Sequence, residues 1–139
     1  YLSNEVSCRL ETIPGLGPIS SSAMAASVSD PDVFKNGREL AAWIGLVPRQ
    51  NSTGGKQRLG KISKQGDQYL RWLLVVGAMS VIRQAKRRGT SNMPWLDDII
   101  ARKPAKVAAV ALASKNARII WALMKQGGIY QEPVTVPSV

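Results

Sequence analysis

Histidine is absent from this 139-residue chain, and cysteine occurs once, at Cys8. Zinc sites and Cys/His or Ser/His catalytic pairs need these side chains, so this sequence alone builds none of them. A single cysteine also rules out an internal disulfide, which suits a reducing cytoplasm. We expect Cys8 to behave as a small buried apolar residue.

Acidic residues are scarce and scattered, with 9 Asp and Glu against 19 Lys and Arg. Only Asp97 and Asp98 are adjacent, and neighbours on a helix point about 100° apart, so they do not form a two-metal site. The sequence therefore predicts no metal site and no cofactor in this chain.

Long apolar runs are also missing. No stretch approaches the length of a membrane span, and no signal-peptide pattern opens the chain. The length and the apolar share of 45% suit one soluble domain. We expect a cytoplasmic, nucleoid-associated protein without a membrane partner, with one domain over residues 1–130. The tail over residues 131–139 contains two prolines and is expected to be disordered.

Positive charge is abundant, and the formal net charge is +10. Between residues 49 and 88 the chain has ten basic residues and one acid, Asp67. Solubilising surfaces usually intersperse both signs, whereas a one-signed cluster is typical of proteins that bind polyanions. We therefore expect nucleic acid as the partner. The basic residues are Arg49, Lys56, Arg58, Lys61, Lys64, Arg71, Arg83, Lys86, Arg87 and Arg88.

Apolar periodicity and cap residues predict a mainly α-helical fold. Asn36 followed by Glu39 is typical of a helix start, and Gly45 of a helix end. Phe34, Leu40, Trp43, Ile44 and most of the four tryptophans are expected in the core. Helices are predicted over residues 3–12, 18–28, 37–44, 70–88, 94–101 and 104–126, with a short helical turn from Asp30 and Pro31.

The two longest predicted helices each carry an apolar stripe. The stripe of the first consists of Leu70, Leu73, Leu74, Gly77, Ala78, Val81 and Ile82, and that of the second of Val107, Val110, Ala111, Ala117 and Trp121.

The sequence I-P-G-L-G-P over residues 13–18 separates the first two predicted helices. This pattern resembles a helix-hairpin-helix, whose tight turn offers backbone N–H groups to a phosphate. Gly15 and Gly17 are therefore candidate nucleic-acid contacts. A tight helical turn without a ligand explains the same pattern equally well.

Residues 49–66, named here the basic segment, contain five basic residues, no acid, and adjacent hydroxyls at Ser52 and Thr53. The segment is expected to be a glycine-rich loop or a small β-hairpin. The P-loop pattern fails because no Ser or Thr follows Lys56. Two interpretations remain: the segment only contacts phosphates, or one hydroxyl attacks phosphorus. Attack needs a general base, which this chain lacks, so another domain or subunit would have to complete the site.

Three successive motifs resemble the C-terminal domain of DEDD-type insertion-sequence transposases, the family of the one-ten, one-sixteen and nine-oh-two insertion sequences and the Piv invertase. The motifs are I-P-G-L-G-P, then D-P-D-V-F-K-N-G-R-E-L-A-A-W-I-G-L-V-P-R-Q, then N-S-T-G-G-K-Q-R-L-G-K-I-S-K-Q-G. The resemblance is strong from residue 10 to about residue 90 and looser over residues 91–127.

The resemblance implies a role in DNA transposition, with Ser52 as the nucleophile and Thr53 as the alternative. It also implies a separate RuvC-like N-terminal domain whose acidic residues bind a divalent metal such as Mg²⁺. Homo-oligomers, and in some members a guide RNA encoded by the element, are further implied partners. The residues implied to face nucleic acid are Arg49, Lys56, Arg58, Lys61 and Lys64.

Three other interpretations remain, two for single aromatic residues and one for the whole chain. Tyr69 could be a recombinase tyrosine, but a packing role is favoured because the chain lacks the histidine of such sites. Trp72 could stack on a nucleic-acid base. The rival to the transposase interpretation is a non-catalytic nucleic-acid-binding module.

Overall fold

A computed structural model describes residues 2–46 and 68–131, and in these two stretches the chain is helical with no strand. The predicted mainly-α fold is confirmed. The basic segment and residues 132–139, for which a loop or hairpin and a tail are predicted, lie outside the described residues. The helices are α1 (Leu2–Leu10), α2 (Pro18–Ser27), α3 (Gly37–Ile44), α4 (Gln68–Arg88), α5 (Pro94–Arg102) and α6 (Ala105–Gln126), with a 3-10 turn at Pro31–Val33.

Helices α4 and α6 pack against each other at the centre of one hydrophobic core. α1, α3 and α5 pack against α6, and α2 packs against both α1 and α4. The stripe predicted for α4 is confirmed in its main positions, because Leu70, Leu74, Ala78 and Ile82 are buried. These residues recur every four positions and so lie on one side of the helix.

The stripe predicted for α6 is partly wrong. Val107 and Val110 are 49% and 42% exposed, whereas Ala117 is buried as expected. α6 is apolar around most of its circumference, so periodicity alone does not select the face that meets the core. The core face consists of Ala108, Ala109, Leu112, Ala113, Asn116, Ala117 and Ile120.

Helix α3 has both predicted caps. The side chain of Asn36 accepts a hydrogen bond from the Glu39 N–H at 2.9 Å, and the Glu39 carboxylate accepts one from the Lys35 N–H at 2.8 Å. Gly45 ends the helix at φ +90°, in the left-handed region that favours glycine. The expected core positions Leu40 and Ile44 are fully buried. The rings of Phe34 and Trp43 pack beside them with centroids 5.5 Å apart.

Cys8 is exposed, so its expected burial is wrong. Helix α1 turns Ser7 and Leu10 inward, and Cys8 lies one residue, or about 100°, away from Ser7 on the outer side. The tendency of cysteine to be buried is too weak to change which side of α1 faces the core.

Among the described residues, α6 is long and apolar enough to cross a membrane, by length and composition alone, with a mean hydropathy of 1.3. The expectation that no stretch reaches such a length therefore needs correction. Core helices of helical domains meet the same criterion, and α6 buries one face against the α4 and α3 helices.

Candidate nucleic-acid interface

The turn between α1 and α2 is inserted against α4. Gly15 adopts φ +102°, which favours glycine, and its carbonyl group lies against Gly77 in the middle of α4. A Cβ atom at position 77 would overlap the Gly15 carbonyl oxygen. The absence of a side chain at Gly77 therefore lets the turn approach the backbone of α4. Gly77 lies within the predicted apolar stripe of α4, and that pattern does not indicate this contact.

Asn116 holds the same turn from α6. Its side chain is 2% exposed, and its amide Nδ2 donates a hydrogen bond to the Pro14 carbonyl oxygen at 3.0 Å. A buried carbonyl needs such a partner, because an unpaired one costs about 1–3 kcal/mol. The turn is thus fixed by two helices that come much later in the chain. Sequence reasoning missed Asn116; a lone amide within a run of alanines was the available signal.

The N–H of Gly17 is occupied in this structure. Ser20 Oγ accepts its hydrogen bond at 3.0 Å, which caps the start of α2. A phosphate at this N–H would have to replace the Ser20 hydroxyl. The outer side of the turn is open, since Gly17 is exposed and Ile19 is 68% exposed. Phosphate contacts at Gly15 and Gly17 stay predictions.

The basic segment joins the end of α3 to the start of α4. Its candidate residues lie outside the described residues, and their predicted roles stay predictions. They are Ser52, Thr53, Arg49, Lys56, Arg58, Lys61 and Lys64.

The two ends of this connection lie beside each other. α3 packs against α4, and the Arg71 side chain from the first turn of α4 lies over Gly45 at the end of α3. A Cβ atom at position 45 would collide with the Arg71 guanidinium. The chain therefore leaves and rejoins the described domain at one place on its surface, and Arg71 adds a further positive charge there.

Two aromatic side chains stand exposed at the same place. Tyr69 and Trp72 are 55% and 58% exposed, and their rings stack with centroids 6.3 Å apart and planes inclined by 21°. The expected packing role of Tyr69 is wrong, as is a core position for Trp72. Both residues lie off the side of α4 that buries Leu70 and Leu74. Flat aromatic faces beside cations are the combination that binds single-stranded nucleic acid.

Four further cations among the described residues lie at the far end of α4. Arg83, Lys86, Arg87 and Arg88 are exposed there, and Lys86 lies about 22 Å along the helix from Arg71 at 1.5 Å per residue. Among the described residues, the cations that the sequence groups together therefore lie at the two ends of α4.

Residues 7–92 match the transposase family IS116/IS110/IS902. The chain belongs to this transposase family. The matched residues include the α1–α2 turn, the basic segment and the whole of α4, which together form the candidate interface.

Curated relatives of the family are similar over most of the chain. A probable family 20 transposase of Pseudomonas aeruginosa is 54% identical over 88% of this chain. A putative transposase of Sinorhizobium fredii is 48% identical over 95%, and the transposase for insertion sequence element IS1111A of Coxiella burnetii is 43% identical over 93%. The matches cover 36%, 34% and 35% of these relatives, so the chain spans about a third of their length.

No group of three His, Cys, Asp or Glu side chains in the described part of this transposase chain could hold a metal ion. The adjacent acids have structural partners instead. Asp97 accepts hydrogen bonds from the Thr90 hydroxyl at 2.7 Å and the Ser91 N–H at 2.8 Å, and these bonds lower the pKa of its carboxyl group. Asp98 pairs with Arg102 at 2.8 Å on the surface.

Proposed function

We propose that this chain is the DNA-binding, C-terminal part of an insertion-sequence transposase and that Ser52 is its nucleophile for DNA strand cleavage and exchange. The family membership supports the reaction class. The observation that carries the proposal is that the two helices flanking the basic segment in the sequence meet at Gly45 and Arg71. Such an anchored connection can present a hydroxyl to a phosphodiester among several cations.

In the proposed reaction the Ser52 hydroxyl attacks phosphorus. The Ser–O–P bond forms, the bond to one DNA hydroxyl oxygen breaks, the serine proton passes to a base, and the leaving oxygen takes up a proton. Arg49, Lys56 and Arg58 stabilise the negative charge on the transferring group. The chain has no histidine, the side chain that most often acts as such a base, and we assign the base to a group outside this chain.

We further propose that the base belongs to a RuvC-like, DEDD-type acidic domain in the remainder of the full-length protein. A divalent metal ion bound there would supply charge neutralisation at the phosphate. This chain contributes the serine, the cations and the DNA-binding surface. A homo-oligomer in the nucleoid would bring the two parts of the site together, and a guide RNA is a further candidate partner of the same basic surface.

A binding module without chemistry is the second candidate. The exposed Tyr69–Trp72 pair favours it, because stacked aromatic rings bind bases without breaking a bond. In this alternative the basic segment only contacts phosphates.

Ser52→Ala in a full-length family member that carries this chain separates the two candidates. We expect loss of strand cleavage and of the covalent protein–DNA bond, with DNA affinity changed less than about twofold, because one hydroxyl contributes little to a charge-dominated interaction. Cleavage is measured on end-labelled DNA, and covalent attachment by gel electrophoresis under denaturing conditions. Thr53→Ala is the matched control and should remain active. Recombination by the Ser52→Ala variant would show that Ser52 is not the nucleophile. Loss of cleavage in Thr53→Ala instead would assign that role to Thr53.

A further inference from the structure

A groove of about 980 Å³ lies between α3, α5 and α6, and Leu46 after α3 and Val75 of α4 also line it. Its floor is the second apolar side of α6, with Val107, Val110 and Ala111. Trp95 and Ile99 of α5 form one wall. We name it the α6 groove.

The floor of the α6 groove is apolar but uncovered by the described residues. Val107 and Val110 keep 49% and 42% of their surface exposed, although the neighbouring Ala108 and Ala109 are fully buried. Contiguous exposed apolar surface of this kind marks interaction sites in soluble proteins. The feature arises because α6 carries two apolar sides and the core uses one.

The border of the groove is positively charged. Arg38, Lys106, Lys115 and Arg118 line it, and no acidic side chain among the described residues does. The Lys115 ammonium lies 4.1 Å from the centre of the Trp95 ring. Burial, and secondly the charge of Arg118, lowers the pKa of Lys115, so these cations repel each other without a balancing carboxylate.

The dimensions of the groove suit a helix. Its floor and border run along α6 from Val107 to Arg118, which is about 17 Å or three turns at 1.5 Å per residue. A helix of that length would place residues at i, i+3 or i+4, and i+7 on the valines. Nucleic acid suits the floor poorly, because protein–DNA interfaces are polar. The basic segment of the chain has five cations and no acid, so the border would repel it.

We propose that the α6 groove binds an amphipathic helix of a partner protein, with an apolar face on Val107 and Val110 and acidic side chains opposite the basic border. This interaction is separate from the DNA-binding role and from Ser52. The apolar floor provides affinity, and the charges select an acidic helix over a basic one.

The test uses a fluorescent synthetic helix of about 16 residues, with leucines at i, i+3 or i+4, and i+7 and glutamates on both flanks. Fluorescence anisotropy with the 139-residue chain measures its dissociation constant. The matched control peptide carries lysines in place of the glutamates. We expect binding of the acidic peptide and at least about tenfold weaker binding of the basic one.

Two pairs of variants locate the binding. Val110→Asp should weaken binding about tenfold or more, whereas Val76→Asp, at a 43% exposed position on α4 outside the groove, should not. Arg118→Glu should weaken it, whereas Lys103→Glu, exposed and outside the groove, should not. Circular dichroism verifies folding, and Val107→Thr, which keeps the shape, replaces Val110→Asp if that variant unfolds.

Several results would overturn the proposal. Equal binding of the acidic and basic peptides would contradict selection by charge. Unchanged binding by Val110→Asp would show that the peptide does not bind in the α6 groove. Sedimentation could also show a homodimer that the Val110→Asp substitution dissociates. The groove would then bind a second copy of this chain instead of a partner protein. Displacement of the peptide by short duplex DNA, abolished by Arg118→Glu, would assign the groove to nucleic acid.

Discussion

Gly77 has tightly constrained surroundings in α4, because the Gly15 carbonyl lies where its side chain would be. The neighbouring core positions tolerate changes of shape by side-chain adjustment, but here the opposing atom belongs to the backbone. The lack of a side chain at Gly77 thus determines how closely the α1–α2 turn approaches α4.

Gly77→Ala tests this contact by setting two effects against each other. Alanine favours a helix by about 1 kcal/mol relative to glycine, whereas forcing extra volume into a packed contact costs about 1–3 kcal/mol or more. Because the overlap at position 77 is with backbone atoms, we expect its cost to lie at the upper end of that range. We expect a net loss of about 1–2 kcal/mol in the free energy of unfolding, measured by urea denaturation with circular dichroism.

The matched control is Val76→Ala, one residue earlier on the exposed side of α4. It adds helix propensity without the overlap and should leave stability within about 0.5 kcal/mol of the starting protein. Equal stability of Gly77→Ala and the starting protein would show that moving the turn away costs no more than the gain of about 1 kcal/mol in helix propensity.

Core residues could be predicted from the sequence where a helix has one apolar side, and not elsewhere. Leu40 and Ile44 are buried as expected, since α3 carries polar residues on its other side. Tyr69 and Trp72 were expected to pack because large aromatic residues usually do, yet they lie off the buried side of α4. Leu70 and Leu74 determine which side of α4 meets the core, and this places Tyr69 and Trp72 on the exposed side.

At the scale of elements, the helix positions could be predicted closely because local signals determine them. The Asn36 cap and the Gly45 end define α3 at the expected bounds, Gly37–Ile44. Pro94 begins α5 as expected. The face of α6 could not be predicted, because both of its apolar sides satisfy the helical period and tertiary packing chooses between them.

The turn between α4 and α5 includes one carboxylate, that of Asp97, which accepts two of its hydrogen bonds. We expect this part of its stability to depend on pH. The hydrogen bonds from Thr90 and Ser91 lower the pKa of Asp97 below its ordinary value of 3.8. The stabilisation is therefore complete above about pH 4 and is lost as the pH falls through the lowered pKa. Solvent screening limits it to about 1 kcal/mol or less.

Asp97→Asn should remove this part of the acid dependence. Urea denaturation at pH 6 and pH 2.5 should show a smaller difference for the variant than for the starting protein. Asp98→Asn is the matched control, because Asp98 makes only an exposed pair with Arg102. An equal effect of both variants would mean that the turn is not the acid-sensitive element.

At the scale of the whole molecule, the sequence indicates a nucleic-acid surface but not its layout. The charge count treats residues 49–88 as one cluster, whereas α4 separates Arg71 from Lys86 by about 22 Å. The meeting of α3 and α4 at Gly45 depends on long-range packing, which no local pattern records. The family motifs, by contrast, are local in sequence and correctly indicated the transposase family.

The isolated chain should bind DNA without cutting it. If the five cations of the basic segment each contact a phosphate, the logarithm of the association constant should fall with the logarithm of salt concentration with a slope of about −4.5 on duplex DNA. Replacing Lys56 and Arg58 together by alanine should reduce the slope by about 2, whereas Lys103→Ala should not change it. Fluorescence anisotropy across a salt series measures these slopes. Efficient cleavage by this chain alone would contradict a base supplied from elsewhere.

The contacts of the N-terminal turn also constrain how the protein is made. Pro14 receives its hydrogen bond from Asn116, which is 102 residues further along the chain. At about 5–20 residues per second, the ribosome completes α6 roughly 5–20 s after it has synthesised the turn. During that interval the turn lacks the part of its docking surface that α6 supplies, although α4 is synthesised earlier. Translation speed between the codons of Pro14 and Asn116 therefore sets how long the turn waits for this hydrogen bond.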